Sequence, residues 1–145
     1  MRQTLDIKEL FSSTLGDVLH EYELPPPCFT IMRCEIVSFN KEKATLTTKI
    51  PVLKEWLNPY STMQGGMIIA AMDNALGPLS LLVAPKNMTR SIESKLIKAI
   101  TMNVKYIYVT ASLYEVKKRR LIFDVVVKDK EDNLYSTARV TNFIL

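Results

Sequence analysis

One segment combines residue types that could activate a carbonyl group and deliver a nucleophile to it. The segment begins at Asn58 and reads NPYSTMQGGMIIAAMDNALG. Gly65 and Gly66 open an apolar run, so their backbone N–H groups would lie uncovered at the positive end of a helix, where an oxyanion is stabilised. Asn58 and Gln64 supply amide side chains just upstream, and Asp73 supplies a carboxylate. The segment therefore predicts an oxyanion site beside an acid that could act as a base.

Asp73 is unusual because no other formal charge lies between Trp56 and Pro85. Burying an unpaired carboxylate is costly, so its presence needs a reason. One interpretation is that it points to a partly wet surface or caps a neighbouring backbone group. The other is a desolvated general base or nucleophile.

The spacing of Gly66 and Asp73 adds a geometric constraint. Seven residues make two helical turns, so the two lie on one face but roughly 10 Å apart along the axis. One carbonyl group cannot easily contact both. If both act on the same group, Gly66 must come from one chain and Asp73 from another, which predicts a site formed by a dimer.

The elements around this segment suggest how it is held. Helical spacing predicts an amphipathic N-terminal helix over residues 7–23, followed by a proline-rich connector to residue 27. Two β-rich runs then predict a hairpin, with the first strand starting at residue 28, and the apolar run predicts a buried helix shortened or kinked at Pro78. After a polar stretch, three strands form a meander in which Tyr106 and Tyr108 share the face of Ile100. We expect residues 1–145 to form one α+β domain, an antiparallel sheet of five or six strands wrapped around the central helix, with an edge strand that could pair with a second copy.

Composition excludes several classes of function. The 145 residues are 48% apolar with a net charge of +4, which is not typical of a nucleic-acid-binding protein. A mid-bilayer Asp73 argues against a membrane span. Cys28 and Cys34 are expected on one strand as reduced, buried thiols, which indicates the cytoplasm. His20 is the only histidine, so no metal site is expected.

The active-site segment resembles that of the hot-dog-fold acyl-CoA thioesterases, in the phenylacetyl-CoA thioesterase-like branch. That family's pattern has an Asn, six residues later a His followed by Gly-Gly, and an Asp nine residues after the His. Asn58, Gln64, Gly65, Gly66 and Asp73 occupy those places with the spacing intact. The runs TMNVKYIYV and KKRRLIFDVVVKDKEDNLYSTARVT also resemble the family's closing strands, so the resemblance covers most of the chain beyond residue 28.

The resemblance assigns roles to these residues. Asp73 would be the nucleophile or general base toward a thioester, the Gly66 N–H would polarise its carbonyl, and Asn58 would orient the attacking water or the partner's carboxylate. The coenzyme A phosphates of the substrate would be bound by Lys86 and Arg90, and the basic turn at residues 117–120 is more simply a solvated strand end.

Two departures from the family pattern bear on activity. Gln64 replaces the usual His, and an amide can donate a hydrogen bond but cannot carry a proton at neutral pH. In this family a hydroxyl residue often begins the first closing strand, where this chain has Ala99. Thr101 is therefore the nearest candidate for that hydroxyl. The stretch between Asp73 and that strand also looks long, which predicts a modified lid.

We therefore expect a homodimer, with a dimer of dimers left open, that hydrolyses acyl-CoA or acyl-carrier thioesters. Water would attack with help from Asp73, or the reaction would pass through an anhydride. No cofactor is expected besides the coenzyme A of the substrate. The alternative is a non-catalytic acyl-CoA-binding or sensing protein, which the loss of the histidine favours and the retention of Asp73 disfavours.

Overall fold

The described part of the chain, residues 3–145 of a computed structural model, contains three α-helices and six β-strands. The helices are α1 (Ile7–Leu15), α2 (Pro27–Ile31) and α3 (Gly65–Val83). The strands are β1 (Glu35–Asn40), β2 (Thr45–Pro51), β3 (Asn87–Leu96), β4 (Tyr106–Lys117), β5 (Arg120–Lys128) and β6 (Leu134–Ile144). The predicted N-terminal region includes residues 1 and 2, which lie outside the described residues.

All six strands form one antiparallel sheet in the order β1-β2-β4-β5-β6-β3, and α3 packs against β2, β3, β4 and β5. The edges are β1 and β3. A sheet wrapped around a central helix, with an N-terminal helix, is the hot-dog fold that the sequence predicts, and this prediction is confirmed.

The core lies between α3 and the sheet. On β5, alternate residues are buried, as expected for a strand with one covered face. The buried residues of α3 are Ile68, Ala71, Met72, Ala75, Leu76, Pro78, Leu79, Ser80 and Leu82. Burying each large apolar side chain stabilises the fold by about 1.5–3 kcal/mol, which explains why this apolar run becomes the central helix.

By length and composition alone, α3 could also cross a bilayer. It packs on the sheet instead, with half of its most apolar window buried. The helix continues through Pro78, so the expectation that this proline shortens it is wrong. It ends at Val83, because Ala84 is extended and is followed by a proline, which cannot continue a helix.

The N-terminal helix is shorter than predicted. Asp6 caps α1 by accepting hydrogen bonds from the backbone N–H groups of Lys8 and Glu9, at 2.8 and 3.0 Å. The α-helix ends at Leu15 because Gly16 has a positive φ of 52°, and a 3-10 turn follows over Gly16–Glu21.

The two cysteines do not share a strand. Cys28 lies in α2 and is exposed, whereas Cys34 precedes β1 and is buried. Burial, with a smaller effect of the nearby Cys28, raises the pKa of the Cys34 thiol to about 12. The predicted placement on one strand is therefore wrong for both residues, and the predicted burial is wrong for Cys28.

Two further corrections concern the second half of the chain. The polar stretch after α3 was expected to be a lid, but residues 87–96 form edge strand β3, paired along its length with β6. The next strand begins only at Tyr106, after a 3-10 turn over Met102–Val104. Its inward residues are Ile107 and Val109 rather than the tyrosines, since Lys105, with φ at 67°, changes the direction of the chain.

Candidate active site

The start of α3 is fixed by hydrogen bonds from the loop before it. The backbone N–H of Gln64 donates to the Trp56 carbonyl at 2.8 Å, and the Met63 N–H donates to the Ile100 carbonyl at 2.7 Å. The Gln64 carbonyl accepts from the N–H groups of Met67 and Ile68, at 2.9 and 3.1 Å. Gln64 therefore caps the helix through its backbone, while its side chain is exposed and forms no capping bond.

Gly65 and Gly66 contribute the first two N–H groups of α3, for which a helix has no acceptor of its own. The two glycines differ in their surroundings. A Cβ atom on Gly65 would lie 2.8 Å from the Leu96 side chain, so this glycine permits β3 to approach the helix. A Cβ atom on Gly66 would meet nothing within 4 Å, and Gly66 is exposed. The space beside the Gly66 Cα is therefore open within one chain.

Asn58 is engaged within its own loop. Its side-chain Oδ1 accepts from the N–H groups of Tyr60 and Thr62, at 2.9 and 3.2 Å, and its Nδ2 donates to the Thr62 hydroxyl at 2.9 Å. In one subunit, the amide thus holds the loop that leads into α3. Its predicted role of orienting water or a partner's carboxylate stays a prediction.

Asp73 lies on the exposed face of α3, so burial of this carboxylate inside the subunit is ruled out. Its Oδ1 accepts a hydrogen bond of 3.0 Å from the hydroxyl of Thr89 on β3. The next residue, Asn74, faces α2, where its Nδ2 donates to the Cys28 carbonyl at 3.2 Å. The middle of α3 is therefore tied to β3 on one side and to α2 on the other.

Thr89 is a neighbour of the candidate site that the sequence did not indicate. The predicted hydroxyl, Thr101, forms a β-bridge with Thr62 and so lies beside the loop before α3. The hydroxyl that contacts the carboxylate of Asp73 comes instead from the polar stretch after α3, which forms β3. The alternation of Asn87, Thr89 and their exposed neighbours is a strand signal that could have indicated it.

Gly66 and Asp73 are both exposed on α3, seven residues and roughly 10 Å apart along the axis. Within one subunit, this arrangement places an uncovered N–H and a carboxylate on the same helix, too far apart to share one small group. The geometric constraint derived from the sequence therefore holds.

Lys86 lies just beyond the end of α3, whereas Arg90 lies on β3 next to Thr89. Lys86 and Arg90 are both exposed, and Arg90 occupies an irregularity of β3 between Thr89 and Ser91. The Arg119 guanidinium donates to the Ile144 carbonyl at 2.8 and 3.1 Å, which fixes the basic turn between β4 and β5 at the same end of the sheet. Among residues 3–145, no three His, Cys, Asp or Glu side chains are grouped so that they could hold a metal ion.

Comparison with known proteins gives matches only among solved structures. No family model and no curated protein matches the chain. A phenylacetic acid degradation-related protein from Ralstonia eutropha matches with a TM-score of 0.79 and 17% identity, over 93% of this chain and 98% of its own. A Streptococcus mutans protein bound to acetyl-CoA matches with a TM-score of 0.72 and 19% identity, over 87% and 94% of the two chains.

A third match is a hypothetical thioesterase protein from Streptococcus pneumoniae with coenzyme A, with a TM-score of 0.71 and 17% identity, over 77% of this chain and 85% of its own. Structures of its aspartate-to-alanine and threonine-to-alanine variants also match, and the two substituted residues are sixteen positions apart, as Asp73 and Thr89 are here. At these identities the likeness is one of fold. The chain has the fold of hot-dog thioesterases, including those related to phenylacetic acid degradation, and that resemblance is confirmed.

Proposed function

We propose that this protein hydrolyses acyl-CoA or acyl-carrier thioesters at a site shared by two subunits. The observation that carries the proposal is the hydrogen bond between Thr89 and the exposed carboxylate of Asp73. A carboxylate that accepts a hydrogen bond at one oxygen is held in a fixed orientation, and its other oxygen can receive a proton from water. The equal spacing of the substituted Asp and Thr in the Streptococcus pneumoniae protein supports the same pairing.

In the proposed reaction, a water molecule transfers a proton to Asp73 as its oxygen forms a bond to the thioester carbonyl carbon. The carbonyl oxygen gains negative charge, which the N–H of Gly66 from the second subunit stabilises. The C–S bond then breaks, and the thiolate leaves with the proton that Asp73 held. Attack by the Asp73 carboxylate itself, through an anhydride, uses the same groups.

A second subunit is required because Gly66 and Asp73 of one chain lie too far apart. The edge strand β3 has unpaired backbone groups along one side, and such an edge can pair with a second copy of the chain. Thr89 lies on this strand, so pairing there would bring the Asp73 of one subunit close to its partner. The open space at Gly66 is consistent with the approach of a substrate or a partner helix.

The remaining residues have roles in substrate binding. Gln64 and Gly65 flank the oxyanion site, and Gln64 can donate a hydrogen bond from its exposed amide. Thr101 lies beneath the loop that enters α3. Lys86 and Arg90 are exposed cations suited to the phosphates of coenzyme A. Activity in the cytoplasm, without a cofactor, remains our expectation.

A second candidate is a protein that binds acyl-CoA without hydrolysing it. Gln64 favours this alternative, because it cannot carry the proton or the positive charge that a histidine would. The exposed position of Asp73 beside Thr89 favours the enzyme, since a binding protein gains nothing from placing an anion near an anionic ligand.

Steady-state hydrolysis of a panel of acyl-CoAs by the native protein and by Asp73→Asn discriminates the two functions. The enzyme predicts turnover by the native protein and a loss of roughly 10²-fold or more in the variant. Asp17→Asn, an exposed substitution in the N-terminal 3-10 turn, is the matched control and should leave turnover unchanged. Tight binding without turnover by either protein would support the binding function instead.

A further inference from the structure

Asn142 on β6 carries a side-chain oxygen that has no hydrogen-bond donor among the described residues. The residue is 2% exposed, and its Nδ2 donates to the Oδ1 of Asn87 at 2.8 Å, while its own Oδ1 is buried without a partner. Nearly all buried polar atoms in proteins are paired with protein or with ordered water, so a buried acceptor without a protein donor calls for an explanation.

The orientation of the Asn142 amide is fixed by its neighbours. Asn87 donates from its Nδ2 to the carbonyls of Pro85 and Ser80, at 2.8 and 3.3 Å. Because carbonyl oxygens only accept hydrogen bonds, the Nδ2 of Asn87 must face these two carbonyls and its Oδ1 must face Asn142. The hydrogen bond between the two asparagines is therefore donated by the Nδ2 of Asn142. Exchanging the oxygen and nitrogen of Asn142 would place two oxygens in contact. The unpaired Oδ1 is therefore dictated by the hydrogen-bond chain.

Thr89 lies directly opposite Asn142 in the pairing of β3 with β6. Residues opposite each other on antiparallel strands point to the same face, with Cβ atoms about 5 Å apart. The Thr89 hydroxyl has a single hydrogen, which it donates to Asp73 at 3.0 Å. Thr89 is thus hydrogen-bonded to Asp73 on the helix, and it lies opposite a second acceptor, Asn142, to which it is not bonded.

We propose that Asn142 is a positioning residue that receives the Thr89 hydroxyl hydrogen once Asp73 has taken a proton from water. The inference rests on the proposed function. While Asp73 is ionised, its bond from Thr89 is charge-assisted and stronger than a bond to a neutral amide. Proton transfer from water neutralises the carboxylate, and the buried, unpaired Oδ1 of Asn142 becomes the better acceptor. The Thr89 hydroxyl turns from Asp73 toward Asn142, and no covalent bond changes in this step.

Two isosteric variants test the inference. Asn142→Thr retains an acceptor opposite Thr89, as the cross-strand pair Thr47 and Thr110 of this protein shows with a 2.8 Å hydrogen bond. Asn142→Val introduces a side chain of the same shape as threonine but without an acceptor. We expect Asn142→Thr to keep kcat within about twofold of native, and Asn142→Val to lose about three- to tenfold in kcat at unchanged KM. In a Thr89→Val background, the two variants should have equal kcat.

Ser136→Ala is the matched control. Ser136 lies on the same face of β6 with a buried hydroxyl that also lacks a partner among the described residues, but it is opposite Leu96 rather than Thr89. The kcat of Ser136→Ala should equal that of the native protein. If Asn142→Val does not fold, Asn142→Leu, which keeps the size of Asn, replaces it.

The inference would be overturned if Asn142→Val or Asn142→Leu had the kcat of the native protein. It would also be overturned if Asn142→Thr and Asn142→Val still differed in kcat in the Thr89→Val background. Either result would leave the proposed function intact. Absence of turnover by the native protein would overturn the proposed function, and this inference with it.

Discussion

Thr89 on edge strand β3 donates a hydrogen bond of 3.0 Å to Asp73 on the central helix. The bond connects the one charged side chain on the exposed face of α3 to the strand that forms the sheet edge. It holds Oδ1 of the carboxylate, which leaves Oδ2 available for water. Strand β3, which the sequence did not indicate, therefore orients Asp73, which the sequence did indicate.

Removing the Thr89 hydroxyl should lower activity without unfolding the protein. Thr89→Val keeps the shape and β-propensity of the residue but leaves Asp73 without its donor, so we expect kcat to fall about tenfold, since one hydrogen bond to a charged group is lost. Thr89→Ser keeps the donor and should stay close to native. Steady-state kinetics with thermal unfolding of both variants checks this. Equal kcat for the two variants would show that the hydroxyl has no role.

The two glycines at the start of α3 should respond oppositely to alanine. Gly65→Ala places a Cβ atom 2.8 Å from the end of the Leu96 side chain, which must move, so stability should fall slightly. Gly66→Ala meets nothing within 4 Å in the subunit and replaces glycine in a helix, which favours folding by roughly 0.5–1 kcal/mol. If the substrate or a partner subunit approaches Gly66, the activity of Gly66→Ala should nevertheless fall. Urea unfolding and kinetics on the same samples separate the two effects, and a fully active Gly66→Ala would contradict the proposed oxyanion site.

The central helix could be predicted because its apolar run is too long for a strand and nearly free of charge. The order of the elements followed from that helix and from the alternating runs after it. Edge strand β3 was missed because its inward positions are mostly polar: Asn87, Thr89 and Ser94 are only partly buried. Hydrophobic periodicity detects a strand by its apolar face, and β3 has little of one.

The candidate site was only partly predictable for a related reason. The residue types and spacing of Gly66 and Asp73 indicated both their chemistry and their separation. A helix that is apolar on nearly all sides does not reveal which side meets the sheet, so the exposure of Asp73 could not be read from the sequence. Thr89 contacts Asp73 from β3, and Asn142 lies opposite Thr89 through the register of β3 with β6, which depends on long-range pairing.

The turn between β5 and β6 should make the protein sensitive to acid. Asp129 accepts from the side chain of Asn133 at 2.8 Å, from Tyr135 at 3.0 Å, and from the backbone N–H groups of Glu131 and Asn133. The hydrogen bond from the Asn133 side chain, more than the others, lowers the pKa of Asp129 below its ordinary value. A lowered pKa contributes stability that is present above the unfolded pKa, near 4, and is lost as the pH falls through the folded pKa.

Asp129→Asn should therefore be less stable than the native protein at pH 7, and its free energy of unfolding should fall less steeply below about pH 4. Urea unfolding between pH 2 and pH 7 measures both quantities. Asp132→Asn is the control, because Asp132 is in the same turn with an 85% exposed side chain and a φ of 71° that asparagine tolerates. Equal acid slopes for native protein and Asp129→Asn would contradict the assignment.

Subunit mixing tests whether the site is shared. Asp73→Asn lacks the base and Gly66→Val blocks the oxyanion N–H, so neither variant should hydrolyse thioesters alone. If Gly66 of one subunit acts with Asp73 of the other, a heterodimer of these variants contains one intact site and one doubly damaged site. When it is purified through two different affinity tags, this heterodimer should recover about half of the native activity per dimer.

If both residues act within one chain, every site in the heterodimer carries a defect and activity stays at the level of the parent variants. That result, or a native protein that is monomeric at catalytic concentrations while turning over, would exclude the shared site, because the roughly 10 Å between Gly66 and Asp73 would then have to be bridged by a single chain.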